Sequence, residues 1–328
     1  MRRREFILLA GGMAAGLPVA ARAQQGERVR NIAMLLPGVE GNPMWRSSFL
    51  ERLQELGWME GRNIRIERRW AQGDTGRMRA FAKEFVTLQP DLIVSGNTPI
   101  TAALLRETRT IPIVFTSVAD PVGSGFVESL ARPGGNVTGF ATLEPSLGGK
   151  WVELLKEIAP KVTRIGIIFN PETAVRQGLL YSQPIKAAAA SFQMEDIAIA
   201  VHSATEIESA LATFARNPES GLIVIPDNFT QVHRQLITSL ALRHRLPAVY
   251  AYRPMATIGG LVSYGVDNAN LVRQAAGYVD RILRGEKPGE LPVQQPTKFE
   301  LAINLKTAKA LGFTVPAALL ARADEVIE

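Results

Sequence analysis

Short apolar runs alternate along the chain with stripes at helical spacing. Ile32-Ala33-Met34-Leu35-Leu36 is almost wholly apolar, as a strand buried on both faces must be. Trp45, Phe49, Leu53 and Leu56 recur at helical intervals before Gly57. Asn63 to Trp70 alternates, with Ile64 and Ile66 against Arg65 and Glu67, which predicts an edge strand. Met78, Phe81, Ala82, Phe85 and Leu88 form the next stripe, followed by a strand at Leu92-Ile93-Val94, a helix over Thr98 to Thr108 and a strand over Ile111 to Val118. The series restarts near residue 164. Strands are expected at 165–169, 197–201, 222–225, 248–250 and 261–264. Helices are expected through about Ala190, over a segment that Thr205 and Glu208 cap as a box, and along Val232, Leu236 and Leu240. Strand–helix alternation means parallel sheets covered by helices. Two successive series predict an α/β protein of two doubly wound parallel-sheet lobes. The glycine-rich extended segment from Gly134 to Thr142, the helix from Asp267 to Leu283 and the extended run from Leu291 to Pro296 predict several chain crossings between them, a multi-strand hinge.

The first 23 residues have a different pattern. Arg2 to Arg4 precede an apolar stretch from Phe6 to Val19, and Ala21-Arg22-Ala23 is a small-x-small site, so a secretory signal peptide with cleavage before Gln24 is expected. The stretch is short and broken by glycine, unlike a membrane anchor. Arg3-Arg4-Glu5-Phe6-Ile7 fits the twin-arginine pattern, and a general secretory signal fits equally. Either route places the mature chain in the periplasm. This segment also explains the charge. The net +6 of the 328 residues includes Arg2, Arg3, Arg4 and Arg22 against Glu5, so the remainder carries net +3, too weak a field to argue for nucleic acid. With 46% apolar and 21% charged residues the chain is of ordinary globular composition. The absence of cysteine excludes disulfides, thiolate metal sites and a cysteine nucleophile.

Motifs for catalysis are missing. His202, His233 and His244 share no metal-ligand spacing, and there is no G-x-S-x-G elbow, phosphate-binding loop or dinucleotide fingerprint. No metal or cofactor is expected. In open parallel sheets ligands bind outside the carboxyl ends of the strands. The first lobe offers there Pro37 to Asn42, then Gly96, Asn97 and Thr98, then Thr116, Ser117 and Asp120. The second offers Asn170, Asp227, Asn228, Tyr250, Tyr264 and Asp267. Small polar groups, carboxylates and aromatics suit a small polar or zwitterionic ligand. Thr98 before Pro99 either caps its helix or turns free N–H groups toward a ligand carboxylate. Asp120, Asp227 and Asp267 are positioned to meet an ammonium group, although Asp267 equally suits a helix cap. Tyr250 and Tyr264 either stack on the ligand or pack inside.

Several stretches resemble a known family: Gly96-Asn97-Thr98-Pro99, Ile111-Pro112-Ile113-Val114-Phe115, Asp120-Pro121-Val122-Gly123 and Ser129 to Gly139. Near the end, Gly260-Leu261-Val262-Ser263-Tyr264-Gly265, Gln295 to Glu300 and Ile303 to Ala308 extend the likeness. Together they resemble ABC-transporter substrate-binding proteins of the tryptophan/tyrosine type over nearly all of the mature chain. The resemblance implies a type I periplasmic binding fold, with a first lobe of about 29–140 plus 266–292 and a second of about 141–265 plus 293–328. It also implies an ABC permease and ATPase as separately encoded partners. No single ligand-contact motif transfers from it, so the site residues above rest on strand-end position.

The expected function is therefore capture of a small polar solute, an amino acid or related carboxylate with aromatic ones included, by hinge closure and delivery to a permease. It involves no enzymatic step, no nucleic acid and no membrane contact except through the permease. The alternatives are a secreted hydrolase on the same fold, which the missing catalytic motifs oppose, and a ligand-sensing domain.

Overall fold

The apolar runs form strands because β-branched and aliphatic side chains pack on both faces of a covered sheet. The computed structural model describes residues 28–41, 45–142 and 144–328. The signal segment 1–23 and the strand-end residue Asn42 lie outside the described residues. The first sheet contains β1 (Arg30–Leu36), β2 (Ile64–Trp70), β3 (Leu92–Ser95), β4 (Ile113–Val118) and β5 (Val137–Ala141). Its order is β2-β1-β3-β4-β5, all parallel, and β2 is at the edge that its alternation predicts. Between them lie α1 (Glu51–Glu55), α2 (Thr75–Leu88) and α3 (Thr98–Glu107). The stripe from Trp45 is wound as a π-helix over Trp45–Leu50 before α1, and it still buries Trp45, Phe49 and Leu53.

A longer helix, α4 (Leu147–Ile158), leads into the second sheet and buries Trp151 and Leu155 against it. That sheet contains β6 (Arg164–Phe169), β7 (Glu195–Ala200), β8 (Ser220–Val224), β9 (Ala248–Tyr250), β10 (Val262–Val266), β11 (Phe299–Asn304) and β12 (Glu325–Ile327). Its order is β12-β11-β10-β9-β8-β6-β7. Around it lie α5 (Leu179–Ser191), α6 (Ala204–Phe214), α7 (Asn228–Val232), α8 (Arg234–Arg243), α9 (Arg253–Thr257), α10 (Asn268–Leu283), α11 (Leu305–Leu311) and α12 (Ala317–Leu320). Of these, α10 belongs to the other lobe: its Leu271, Val272, Ala275 and Val279 pack with β1 and Phe140.

Three details differ from the sequence reading. The second sheet is mixed, because β11 runs antiparallel to β10. Strand β5 sits where only an extended join was expected, and helix α4 follows where no element was expected; the glycines and prolines before Val137 hide how fully its strand is buried. The cap of α6 uses Ser203 and Glu206, two residues earlier than Thr205 and Glu208: Ser203 Oγ accepts from the Glu206 N–H at 3.2 Å, and Glu206 accepts from the His202 N–H at 2.9 Å.

The chain passes between the sheets after β5, after β10 and before β11. These passages are stitched together. Ala141 N–H donates to Gln294 O at 2.8 Å, and Gln294 N–H to Gly139 O at 3.0 Å. Thr138 Oγ1 donates to Leu291 O at 2.6 Å. Three adjacent passages of chain thus join the two lobes, each of which keeps its own core.

Candidate functional site

Both sheets share one strand order. In the first it changes direction between β1 and β3, and in the second between β6 and β8. Ligands of open α/β sheets sit beyond the carboxyl ends at these switch points. Here those ends face each other. Asn97, after β3, reaches Asn228, after β8: its Nδ2 donates to Asn228 Oδ1 at 3.3 Å. The backbone of Gly73, just after β2, passes so near α7 that a Cβ there would lie 3.0 Å from both Asn228 Nδ2 and Val232. A third contact is ionic. Arg176, in the loop after β6, pairs with Asp120, in the loop after β4.

The first-lobe wall is built by local capping. Asn97, not Thr98, is the N-cap of α3: its Oδ1 accepts from the Ile100 N–H at 3.0 Å. Thr98 is already helical, and its hydroxyl accepts from the Ala119 N–H at 3.2 Å, tying α3 to the end of β4. Gly96 is required beside it, since a Cβ would lie 2.4 Å from the Pro37 ring. Thr116 is buried and donates to Ser95 O at 3.3 Å; Ser117 is half-buried next to it. Asp120 is buried and accepts from the Gly123 N–H at 2.8 Å as well as from Arg176. Gly123 leaves room for that pair, because a Cβ there would sit 2.1 Å from Asp120 Oδ2.

The second-lobe wall centres on Asp227. It caps α7, and its oxygens accept from the N–H groups of Thr230 (2.8 Å) and Asn170 (3.0 Å) and from the Thr173 hydroxyl (3.1 Å). Burial pushes its carboxyl above the usual range and these bonds pull it back only in part. Asn170 accepts in turn from the Glu172 N–H at 2.8 Å. Two phenols, Tyr181 and Tyr252, complete this wall, and burial raises both; Asp227 and Tyr181 add to the rise at Tyr252. Tyr181 donates to Thr142 O at 3.4 Å, so it touches the first crossing.

The remaining expected residues serve the frame. Tyr250 lies inside the core of the second lobe with Leu240 and Met255. Tyr264 stacks on Phe299 at 6.2 Å, beside the crossings. Asp267 caps α10 through the Asn270 N–H at 2.9 Å and pairs with Lys298 at 2.9 Å, joining two crossings. Burial alone would raise its carboxyl, but Lys298 and the Asn270 N–H outweigh it and hold it below the usual range.

The sequence reading named neither Arg176 nor Tyr181, and among the residues ending β9 it singled out Tyr250 rather than Tyr252. Arg176 and Gln177 take left-handed backbone, at φ +50° and +56°, ahead of Gly178 at +85°. That bend turns Arg176 toward the opposite lobe, and only the Gly178 letter hints at it. Among the described residues no three or more His, Asp or Glu groups are placed to hold a metal ion. No helix among them is long and apolar enough to cross a membrane.

Comparison with known proteins supplies a context for this cleft. Residues 37–327 match the family model described as ABC transporter substrate binding protein. A tyrosine-binding protein of Clostridioides difficile (strain R20291) is 29% identical over 266 residues, covering 81% of this chain and 76% of that protein. The solved structure of an ABC domain in complex with L-Trp from Streptococcus pneumonia is 25% identical, covers 92% of this chain and 100% of its own, and superposes with a TM-score of 0.83. The ligand-free, open structure of CD0873, a substrate binding protein with adhesive properties from Clostridium difficile, is 26% identical over 91% of this chain and 99% of its own, yet gives a TM-score of 0.67. At nearly equal identity, the present arrangement is nearer to the tryptophan complex than to the open form.

Proposed function

The chain belongs to the ABC transporter substrate-binding protein family, and we propose that it captures an amino acid, aromatic by preference, in the cleft between its lobes. The lobes close over the ligand by rotation about the three crossings. The closed form then delivers the ligand to a separately encoded permease driven by its ATPase, outside the cytoplasm. The observation that carries this reading is the direct meeting of the two switch points through Asn97–Asn228 and Asp120–Arg176. A ligand can favour closure only through contacts that the open form lacks. Groups from both lobes converge where a small ligand would touch both at once. The relatives' tyrosine and tryptophan ligands supply the aromatic preference. The residues in this role are Asn97, Thr98, Ser117, Asp120 and Gly96 from the first lobe, with Asn228, Asn170, Asp227 and Tyr252 from the second. The relatives are binding proteins, and capture without turnover is part of the proposal.

Thermal melting with a panel of the common L-amino acids and small metabolites tests it. A ligand binding the folded state alone stabilises by about 2.7 kcal/mol at 100 times Kd. L-tyrosine or L-tryptophan is expected to raise Tm in a concentration-dependent way and to be recovered unchanged. A flat response to every amino acid removes the ligand class, and conversion of the stabilising compound removes the non-enzymatic reading.

A further inference from the structure

Two buried amide nitrogens on one short helix have no hydrogen-bond partner among the described residues: Asn228 Nδ2 and Gln231 Nε2. Helical residues three apart share a face. On α7 that face is turned to the first lobe, because Asn228 and Val232 are the residues that meet Asn97 and the Gly73 backbone. The other side chains of α7 point home. The Thr230 hydroxyl donates to Ile225 O at 3.2 Å, and Phe229 packs on the core of its own lobe.

The orientation of the Asn228 amide is dictated from the opposite lobe. Asn97 Oδ1 is committed to the Ile100 N–H, so the end of Asn97 that crosses the cleft is its NH2 group. An amide nitrogen only donates. Asn228 must therefore offer its oxygen to Asn97 and turn its own nitrogen elsewhere. The flip that is normally ambiguous for an asparagine is settled here by its partner.

A buried donor left without an acceptor is unfavourable. Here two stand on one helical face, at the meeting of the switch points. The neighbouring carboxylates are engaged elsewhere: Asp227 with Asn170, Thr173 and Thr230, and Asp120 with Gly123 and Arg176. The acceptors have to arrive with the ligand, and two donors three residues apart on one helical face suit the two oxygens of one carboxylate.

We propose that Asn228 and Gln231 receive the α-carboxylate of the amino-acid ligand, and that Asn97 is a positioning residue that sets the donor face of Asn228 when the lobes close. This rests on the amino-acid reading above and assigns the end of the ligand that α7 reads. Recognition of the carboxylate is thereby coupled to closure, since Asn228 has its polarity fixed only while Asn97 touches it.

The test compares L-tyrosine and L-tryptophan with their decarboxylated amines, tyramine and tryptamine, by calorimetric titration of the mature protein. Gln231→Met keeps the length of the side chain and removes the donor without changing charge. Asn228→Leu does the same at the first position. Each is expected to weaken the amino acids about tenfold and to leave the amines within about twofold, so that the amino-acid-to-amine ratio collapses. Asn97→Ser retains a capping oxygen for α3 and lacks the cross-lobe donor; it is expected to lower the same ratio with a smaller effect on Tm. A folded Gln231→Met protein that keeps the wild-type ratio, or loses both ligand types alike, overturns the proposal while the amino-acid reading stands. Failure of the wild-type protein to bind either amino acid overturns both.

Discussion

Arg176→Gln isolates the ionic contact between the lobes. Asp120 carries a side chain 8% exposed, whereas that of Arg176 is 58% exposed. Solvent therefore screens one partner well, which limits the pair to the range of exposed ion pairs, about 0–1 kcal/mol. Burial of Asp120 moves the value toward the upper end, because among the described residues its loss of hydration is compensated by the Gly123 N–H and by Arg176. We expect about 0.5–1 kcal/mol in favour of the closed form, or about two- to fivefold in the closed-to-open ratio. An open protein binds more weakly by the same factor, because the ligand must then supply the free energy of closure. Small-angle scattering reads the ratio without ligand: Arg176→Gln is expected to shift toward the larger radius of gyration. Titration at low and high salt reads the same pair differently. Screening shortens from about 10 Å at 0.1 M to about 3 Å at 1 M, so wild-type affinity for a neutral zwitterion should fall with salt and that of Arg176→Gln should not. Equal scattering profiles with parallel salt dependences would refute the reasoning. So would an Asp120→Asn/Arg176→Gln double variant whose effect is the plain sum of the two singles, since contacting residues must couple.

Three further outcomes probe the cleft wall and the frame. Asp227 holds a proton more tightly when folded, because burial raises its carboxyl. The stability it contributes is fully present below its unfolded value of about 3.9 and is lost as pH rises through its folded value. Denaturant unfolding of wild type and Asp227→Asn at pH 7, 5 and 4 should accordingly show the wild type gaining on the variant as pH falls; the opposite trend would sink the assignment. Gly265→Ala should cost more than about 2 kcal/mol, because its Cβ would stand 1.9 Å from the Ala251 carbonyl oxygen, backbone that cannot swing aside. Gly277→Ala, in α10 with nothing within 4 Å, should stabilise by about 0.5–1 kcal/mol. A raised Tm for Gly265→Ala or a lowered one for Gly277→Ala would contradict the respective expectation.

Much of this architecture is written in local pattern, and the site is not, for one physical reason. A buried parallel strand announces itself because both its faces meet apolar helices, so Ile32 to Leu36 or Leu222 to Ile225 can be read without knowing their neighbours. Helix caps are local too, and they are misplaced by only a residue or two, as at Asn97 and Ser203, since adjacent small polar residues compete for one position. Strand-end position then finds loops that meet between the lobes, those of Asn97, Asp120 and Asn228. It fails to separate a cleft residue from a frame residue within a loop, because that choice is made by the other lobe. Tyr250 turns into its own core and Tyr252, two residues on, joins the wall with Asp227. Arg176 becomes part of the cleft only because Asp120, 56 positions away, is buried opposite it. The polarity of Asn228 is decided by Asn97 at a separation of 131 residues. The pairs Asn97–Asn228 and Asp120–Arg176 are contacts between lobes, and no local pattern records such contacts. What remains legible locally is the supply of donors and acceptors; their direction is set by the partner wall.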